Sequence, residues 1–171
     1  RILFGRVNPS GKLAETYPVR LEDNPAYLHF PGDGDECFYG EDIYVGYRYY
    51  DKKKMEVLFP FGHGLSYTRF AYTAIRADGD TVTVTVKNVG SRTGKEIVQL
   101  YASACPHPVT SGYVGESAYG FARPVRWLCG FDKIELAPGE EKAVVFPLCD
   151  RTFSVYDEKV KDYRRIGGDY E

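Results

Sequence analysis

From residue 68 onward the chain alternates between apolar and polar positions. Thr81-Val82-Thr83-Val84-Thr85-Val86 sets three valines on one face and three threonines on the other. That period of two is the mark of an antiparallel strand with one buried face. Glu96 to Ala102 is a second such run, and Trp127 to Leu136 a third, with an interruption expected at Gly130. Lys142 to Leu148 is a fourth, placing Val144, Phe146 and Leu148 together, and Arg69 to Arg76 and Phe153 to Tyr156 complete the set. Asn88 to Gly94 reads as a loop with two glycines, and Ala137-Pro138-Gly139-Glu140 carries proline then glycine at the centre of a turn, the type II preference. The first third of the chain has no sustained period. Arg1 to Phe4 followed by Gly5 predicts a last helical turn with a left-handed glycine terminator. Asn8-Pro9-Ser10-Gly11 predicts a type I turn, Lys12 to Tyr17 a short strand ended by Pro18, and 20–40 a long loop. So long an irregular stretch is uncommon in a compact domain unless it packs across a neighbour.

Short strand runs without helical stretches predict a mainly β chain, folded as a fibronectin type III or immunoglobulin-like β-sandwich. Such a sandwich normally has seven strands, and the seventh would begin near Asp169-Tyr170-Glu171, where the sequence stops. The chain opens at Arg1, and its one methionine is Met55. The expectation is therefore a piece of a longer polypeptide, cut at both ends. At 171 residues it is too short for a (β/α)₈ barrel, which needs about 250. A net charge of −2 does not steer the chain toward nucleic acid or an anionic membrane. The basic runs Lys52 to Lys54 and Lys159 to Arg165 are flanked by acids and read as solvated surface. No apolar stretch approaches the roughly 20 residues of a membrane span.

Local chemistry is sparse. No nucleophile elbow, phosphate loop or paired-histidine zinc motif is present. His29, His63 and His107 are too scattered for a metal site, and His63, between Gly62 and Gly64, reads as a buried junction histidine. Cys37, Cys105, Cys129 and Cys149 form no C-x-x-C pair. Cys105 with Cys129 is the pairing to consider. Separate reduced thiols are the preferred reading, and a cytoplasmic setting is expected ahead of a secreted one. Asp33, Asp35 and Glu36 lack the other ligands of a calcium loop. No cofactor and no metal is expected. Aromatic content is the unusual item, with 15 tyrosines, 10 phenylalanines and one tryptophan. Between Phe38 and Tyr72 the rings read either as a sugar-stacking surface or as an interface between domains. Their density in a segment of little regular structure favours the interface. In the loop from Cys105 to Pro124, Tyr113, Tyr119 and Phe121 stand among glycines and serines and are the candidate substrate-binding residues.

Several motifs then occur in one order. Leu3-Phe4-Gly5-Arg6-Val7-Asn8-Pro9-Ser10-Gly11-Lys12-Leu13 resembles the end of the α/β sandwich domain of glycoside hydrolase family 3 β-glucosidases. The segments from Tyr39 to Asp51 and from Phe59 to Thr68 resemble the connector that follows. Val84 to Asn88, Gly94 to Tyr101, Arg123-Pro124-Val125, Gly130-Phe131 and Leu136 to Glu140 resemble the family's fibronectin type III-like domain. The resemblance implies two regions: 1–66 as the tail of the α/β sandwich domain with its connector, and 67–171 as the fibronectin-like domain, its last strand truncated. It implies retaining hydrolysis of terminal β-D-glucosyl residues by an intact protein. This piece would be its non-catalytic, structural C-terminal portion, inactive alone. The partners implied are the barrel domain and the rest of the α/β sandwich domain, with a β-glucoside or oligosaccharide as substrate. The family's aspartate nucleophile and glutamate acid/base match no position here, so no catalytic residue is carried over. Some relatives place these domains ahead of the barrel. Two departures stand out: the segment from Ser103 to Ala122 is longer than usual, and Cys129 stands where lysine is common. An independent carbohydrate-binding module using Tyr113 and Tyr119 is the alternative reading, with a purely structural adhesion-type sandwich as a third.

Overall fold

The computed structural model describes residues 1–104 and 122–171. In chain order the strands are β1 (Tyr17–Pro18), β2 (Val57–Phe59), β3 (Phe70–Asp78), β4 (Thr81–Asn88), β5 (Gly94–Ala102), β6 (Trp127–Leu136), β7 (Glu141–Pro147), β8 (Ser154–Asp157) and β9 (Asp162–Arg165). One α-helix, α1 (Tyr47–Lys53), precedes β2, and short 3-10 turns cover Leu21–Asp23 and Asp150–Phe153. Contacts divide the chain into two compact units. The first is Arg1–Lys12, Gly64–Tyr101 and Leu128–Gly167; the second is Leu13–His63, Ala102–Trp127 and Gly168–Glu171.

The first unit is the sandwich. Its one sheet runs β3-β4-β7, antiparallel throughout, and its other is the β5-β6 pair. The alternation read in β4 is realised: Val82, Val84 and Val86 are buried while Thr81, Thr83 and Thr85 are half-exposed. They meet Val98 and Leu100 of β5, Leu136 of β6, and Val144 and Phe146 of β7 in one core. Each such side chain contributes about 1.5–3 kcal/mol when fully buried. Strand β6 runs unbroken through Gly130, where a Cβ would lie 3.0 Å from the Phe146 ring. The glycine admits a core ring instead of ending the strand. At the edge, Thr73 is an extra residue in the β3–β4 ladder, and its hydroxyl donates to Glu141 Oε1 at 2.9 Å. Such a bulge bends an edge strand away from pairing with other chains.

The end of β4 carries a dense polar network. Asn88 is 0% exposed, and every polar atom it has is engaged. Its Oδ1 accepts from the Thr68 hydroxyl at 2.7 Å and the Gly90 N–H at 3.0 Å. Its Nδ2 donates to the carbonyls of Arg92 at 2.7 Å and Leu136 at 2.9 Å. Its N–H donates to Glu140 O, and its carbonyl accepts from Gly139 N–H, both at 2.9 Å. The side chain thus ties the Thr68 strand entry, the 88–94 loop and the end of β6, and the backbone of the same residue holds the turn before β7. That turn closes with a 3.0 Å bond from Glu140 N–H to Ala137 O and a positive φ at Gly139, the type II geometry its sequence predicts.

The N-terminal segment belongs to this unit. Arg6 N–H reaches Arg1 O and Gly5 N–H reaches Ile2 O, with Gly5 at φ +65°, a Schellman terminator as expected. The expected turn at Asn8–Gly11 is not formed, and the chain there is irregular. The Asn8 side chain instead accepts from Tyr67 N–H at 2.7 Å and donates to Ser66 Oγ at 3.0 Å. Partners far along the chain outbid the local turn. Strands β8 and β9 form a hairpin held by a Tyr156–Tyr163 edge contact, with the Arg151 guanidinium 3.9 Å from the Tyr163 ring centre. The basic run read as plain surface is therefore partly a strand.

In the second unit the Lys12–Tyr17 strand shortens to Tyr17–Pro18 paired with β2. Helix α1 was not predicted. It stops at Lys54, whose φ is +53°, with Lys52 and Lys53 suitably placed in its last turn. Among the described residues no helix is long and apolar enough to cross a membrane.

Two outcomes follow from the network at Asn88 and its turn. Asn88→Ala leaves four groups without their partner at about 1–3 kcal/mol each, so urea unfolding should show a loss of at least about 4 kcal/mol. Thr68→Val removes one donor and should cost about 1 kcal/mol; equal losses for the two would contradict the assignment. Glu140 accepts from Ala137 N–H at 2.6 Å and pairs with Lys142 at 3.0 Å. The Ala137 bond first, then Lys142, holds its carboxyl below the ordinary carboxylate range. A depressed folded value stabilises above the unfolded pKa of about 4.3 and is lost as pH falls through the folded value. Glu140→Gln should lower the melting temperature at neutral pH and leave it unchanged in strong acid.

Candidate functional site

The candidate substrate residues Tyr113, Tyr119 and Phe121, with Cys105 and His107, lie outside the described residues. The chain on both sides of them is anchored within the second unit. Ser103 and Glu171 exchange both backbone hydrogen bonds, at 2.8 and 2.9 Å, and Ala104 pairs with Tyr170. Antiparallel pairing therefore begins where a seventh strand was expected to start. On the other side, Arg123 is buried, with its guanidinium 5.2 Å from the Trp127 ring centre and 5.4 Å from that of Tyr170. The two rings meet edge to face at 6.1 Å. A desolvated cation against aromatic faces is worth up to about 2 kcal/mol. The Tyr44 hydroxyl donates to Arg123 O at 3.5 Å, and Arg126 grips Asp51 of α1 through two bonds at 2.7 and 3.2 Å.

No local pattern brings Arg123, Trp127 and Tyr170 together, and sequence reasoning missed them. The arrangement positions chain; it offers no carboxylate pair to a substrate. Aromatic contacts continue nearby in the same unit, with Tyr47 on Phe61 at 5.0 Å and Phe59 on His63 at 5.0 Å. His63 is half-buried against that ring, and its carbonyl accepts from Leu13 N–H at 2.8 Å. It is held as a packing residue. Among the described residues no group of three His, Cys, Asp or Glu side chains could hold a metal ion.

In the first unit a buried carboxylate, Glu96, is a tie. Glu96 Oε1 accepts from the Tyr72 hydroxyl at 3.1 Å and pairs with Lys12 Nζ at 3.2 Å. Burial first, and then the Glu96 charge, pushes the Tyr72 hydroxyl well above its ordinary value. A phenol held protonated against a carboxylate is a fixed donor, not an acid poised to give up a proton. Cys149 is exposed, and hydrogen bonds from the Thr152 hydroxyl and the backbone N–H groups of its 3-10 turn lower its thiol. Cys129 is partly buried and packs on the core.

With this geometry in hand, comparison with known proteins places the chain. Residues 1–67 match the glycosyl hydrolase family 3 C-terminal domain, and residues 96–171 match the fibronectin type III-like domain. Thermostable beta-glucosidase B of Acetivibrio thermocellus is 49% identical over 99% of this chain, which spans 22% of that relative. Probable beta-glucosidase K of Emericella nidulans is 44% identical, again over 99% of this chain and 19% of the relative. Among solved structures, the family 3 β-glucosidase of Bifidobacterium adolescentis superposes with a TM-score of 0.85 at 37% identity, covering 98% of this chain and 24% of its own. The Kluyveromyces marxianus β-glucosidase solved with glucose gives 0.84 at 40% identity, covering 99% and 20%. The chain thus spans about a fifth of the length of the curated relatives it matches. It belongs to glycosyl hydrolase family 3, of which it carries a portion of the C-terminal domain and the fibronectin type III-like domain.

Proposed function

We propose that this chain is the non-catalytic C-terminal portion of a retaining β-glucosidase that hydrolyses terminal β-D-glucosyl residues. On this reading 1–66 are the tail of an α/β sandwich domain with its connector, and 67–171 are the fibronectin-like domain. Its work is to brace the barrel and sandwich domains that hold the catalytic carboxylates. The observation that carries the reading is the ordered match of 99% of the chain to proteins named β-glucosidases, over about a fifth of their length. The surface supports it. Leu3 and Phe4, on the N-terminal turn, and Leu65 are large apolar side chains left in water, which in a finished protein marks a face meant for a partner. The polar ties at Asn8 and Lys12 suit a brace, because they fix the incoming chain on the sandwich.

The test is turnover of an aryl β-glucoside. The purified 171-residue chain should give none, while the intact polypeptide that contains it should release the aglycone. Hydrolysis by the isolated chain, or an intact polypeptide inert toward β-glucosides, would sink the reading.

A further inference from the structure

Within the second unit, 26–40 forms a closed loop whose interior is tightly specified. Asn24 Oδ1 accepts from Ala26 N–H at 2.9 Å, and His29 and Phe30 N–H both reach Ala26 O at 2.9 Å. Asp33 and Glu36 exchange backbone bonds at 3.0 and 3.1 Å across Gly34, which sits at φ +60°. The His29 ring meets Phe38 edge-on at 5.1 Å, and a Cβ on Gly40 would lie 2.8 Å from His29 Nε2. With Gly40 folded back onto His29 and Phe38, the loop is a compact surface element.

What it shows to water does not fit its order. Leu28 is 86% exposed, Phe30 77%, Phe38 70% and Tyr39 82%. Together they offer roughly 600 Å² of apolar surface, taking 150–250 Å² for a ring. That is the size of the largest patch on an ordinary monomer, where such patches are often functional. It also approaches one side of a standard interface, about 800 Å² per partner. The same stretch carries Asp33, Asp35, Glu36, Glu41 and Asp42, with neither lysine nor arginine from 26 to 42.

We propose that this loop is a docking surface by which the chain engages the remaining domains of the β-glucosidase polypeptide. The face that receives it is an apolar recess with a lysine- or arginine-rich rim. The inference rests on the reading above for the identity of the partner. Relatives about five times the chain's length supply the mass to cover the patch, and charge complementarity fixes the chemistry of the rim. A sugar platform is the competing use of exposed rings. Leu28, the most exposed of the four, gives a sugar no ring to stack on.

Hydroxyl-radical footprinting of the intact polypeptide tests this without any mutant that must fold. Phe30, Phe38 and Tyr39 should be oxidised as slowly as the core residue Phe146, losing the fast labelling they show in the urea-denatured polypeptide. Labelling at the denatured rate overturns the proposal. So does protection that appears only when a cello-oligosaccharide is added, which would assign the loop to sugar. Turnover of an aryl β-glucoside is read on the same sample. Full turnover with freely labelled rings sinks the docking surface alone; protected rings without turnover sink the β-glucosidase reading alone.

Discussion

The sandwich depends on one buried amide. Asn88 replaces what would be the next valine in the β4 alternation, and it makes six hydrogen bonds through side chain and backbone. A buried polar group that satisfies every donor and acceptor specifies a geometry that apolar packing alone leaves loose. The valines determine that two sheets come together. Asn88 determines where the loops at one end of them sit. Its orientation is fixed as well, since the carbonyl faces two donors and the amide two acceptors.

The incoming chain is held on the same principle. Asn8 satisfies the entry at Ser66 and Tyr67, and Lys12 meets Glu96 beside Tyr72. Gly94 is needed there, because a Cβ would meet Asn8 Nδ2 at 2.6 Å. The second unit is built differently. It has little sheet, and aromatic and cation–ring contacts stand in for a ladder: Arg123 between Trp127 and Tyr170, Tyr47 on Phe61, Phe59 on His63. Such contacts tolerate exposed rims, since a ring can pack on one face and stay wet on the other.

The sandwich was legible because its signals are local. The Thr-Val alternation, the Pro-Gly turn and the glycine after Phe4 each act within a few residues, and each element formed. Helix α1 was hidden because Tyr47 to Lys53 mixes rings and charges without a helical stripe; its stability comes from packing at Tyr50 and the Asp51–Arg126 pair. Strand β9 was hidden because a basic run carries no alternation, and its pairing rests on Tyr163 meeting Tyr156 and Arg151. The turn at Asn8 failed because its side chain finds better partners 58 and 59 residues away. The anchor at Arg123 was invisible for the same reason: Tyr170 lies far along the chain. The family was legible throughout, since its motifs run in order and do not require any one element to be predicted correctly.

If the Asn88 network holds the sandwich, its amides must open only with the core. Native-state hydrogen exchange at Asn88, Gly90 and Gly139, read beside Val86 and Val98, measures this directly. All five should exchange with one common free energy and one common denaturant dependence, that of global unfolding. Exchange of Gly90 or Gly139 by local opening, while Val86 stays protected, would contradict the account.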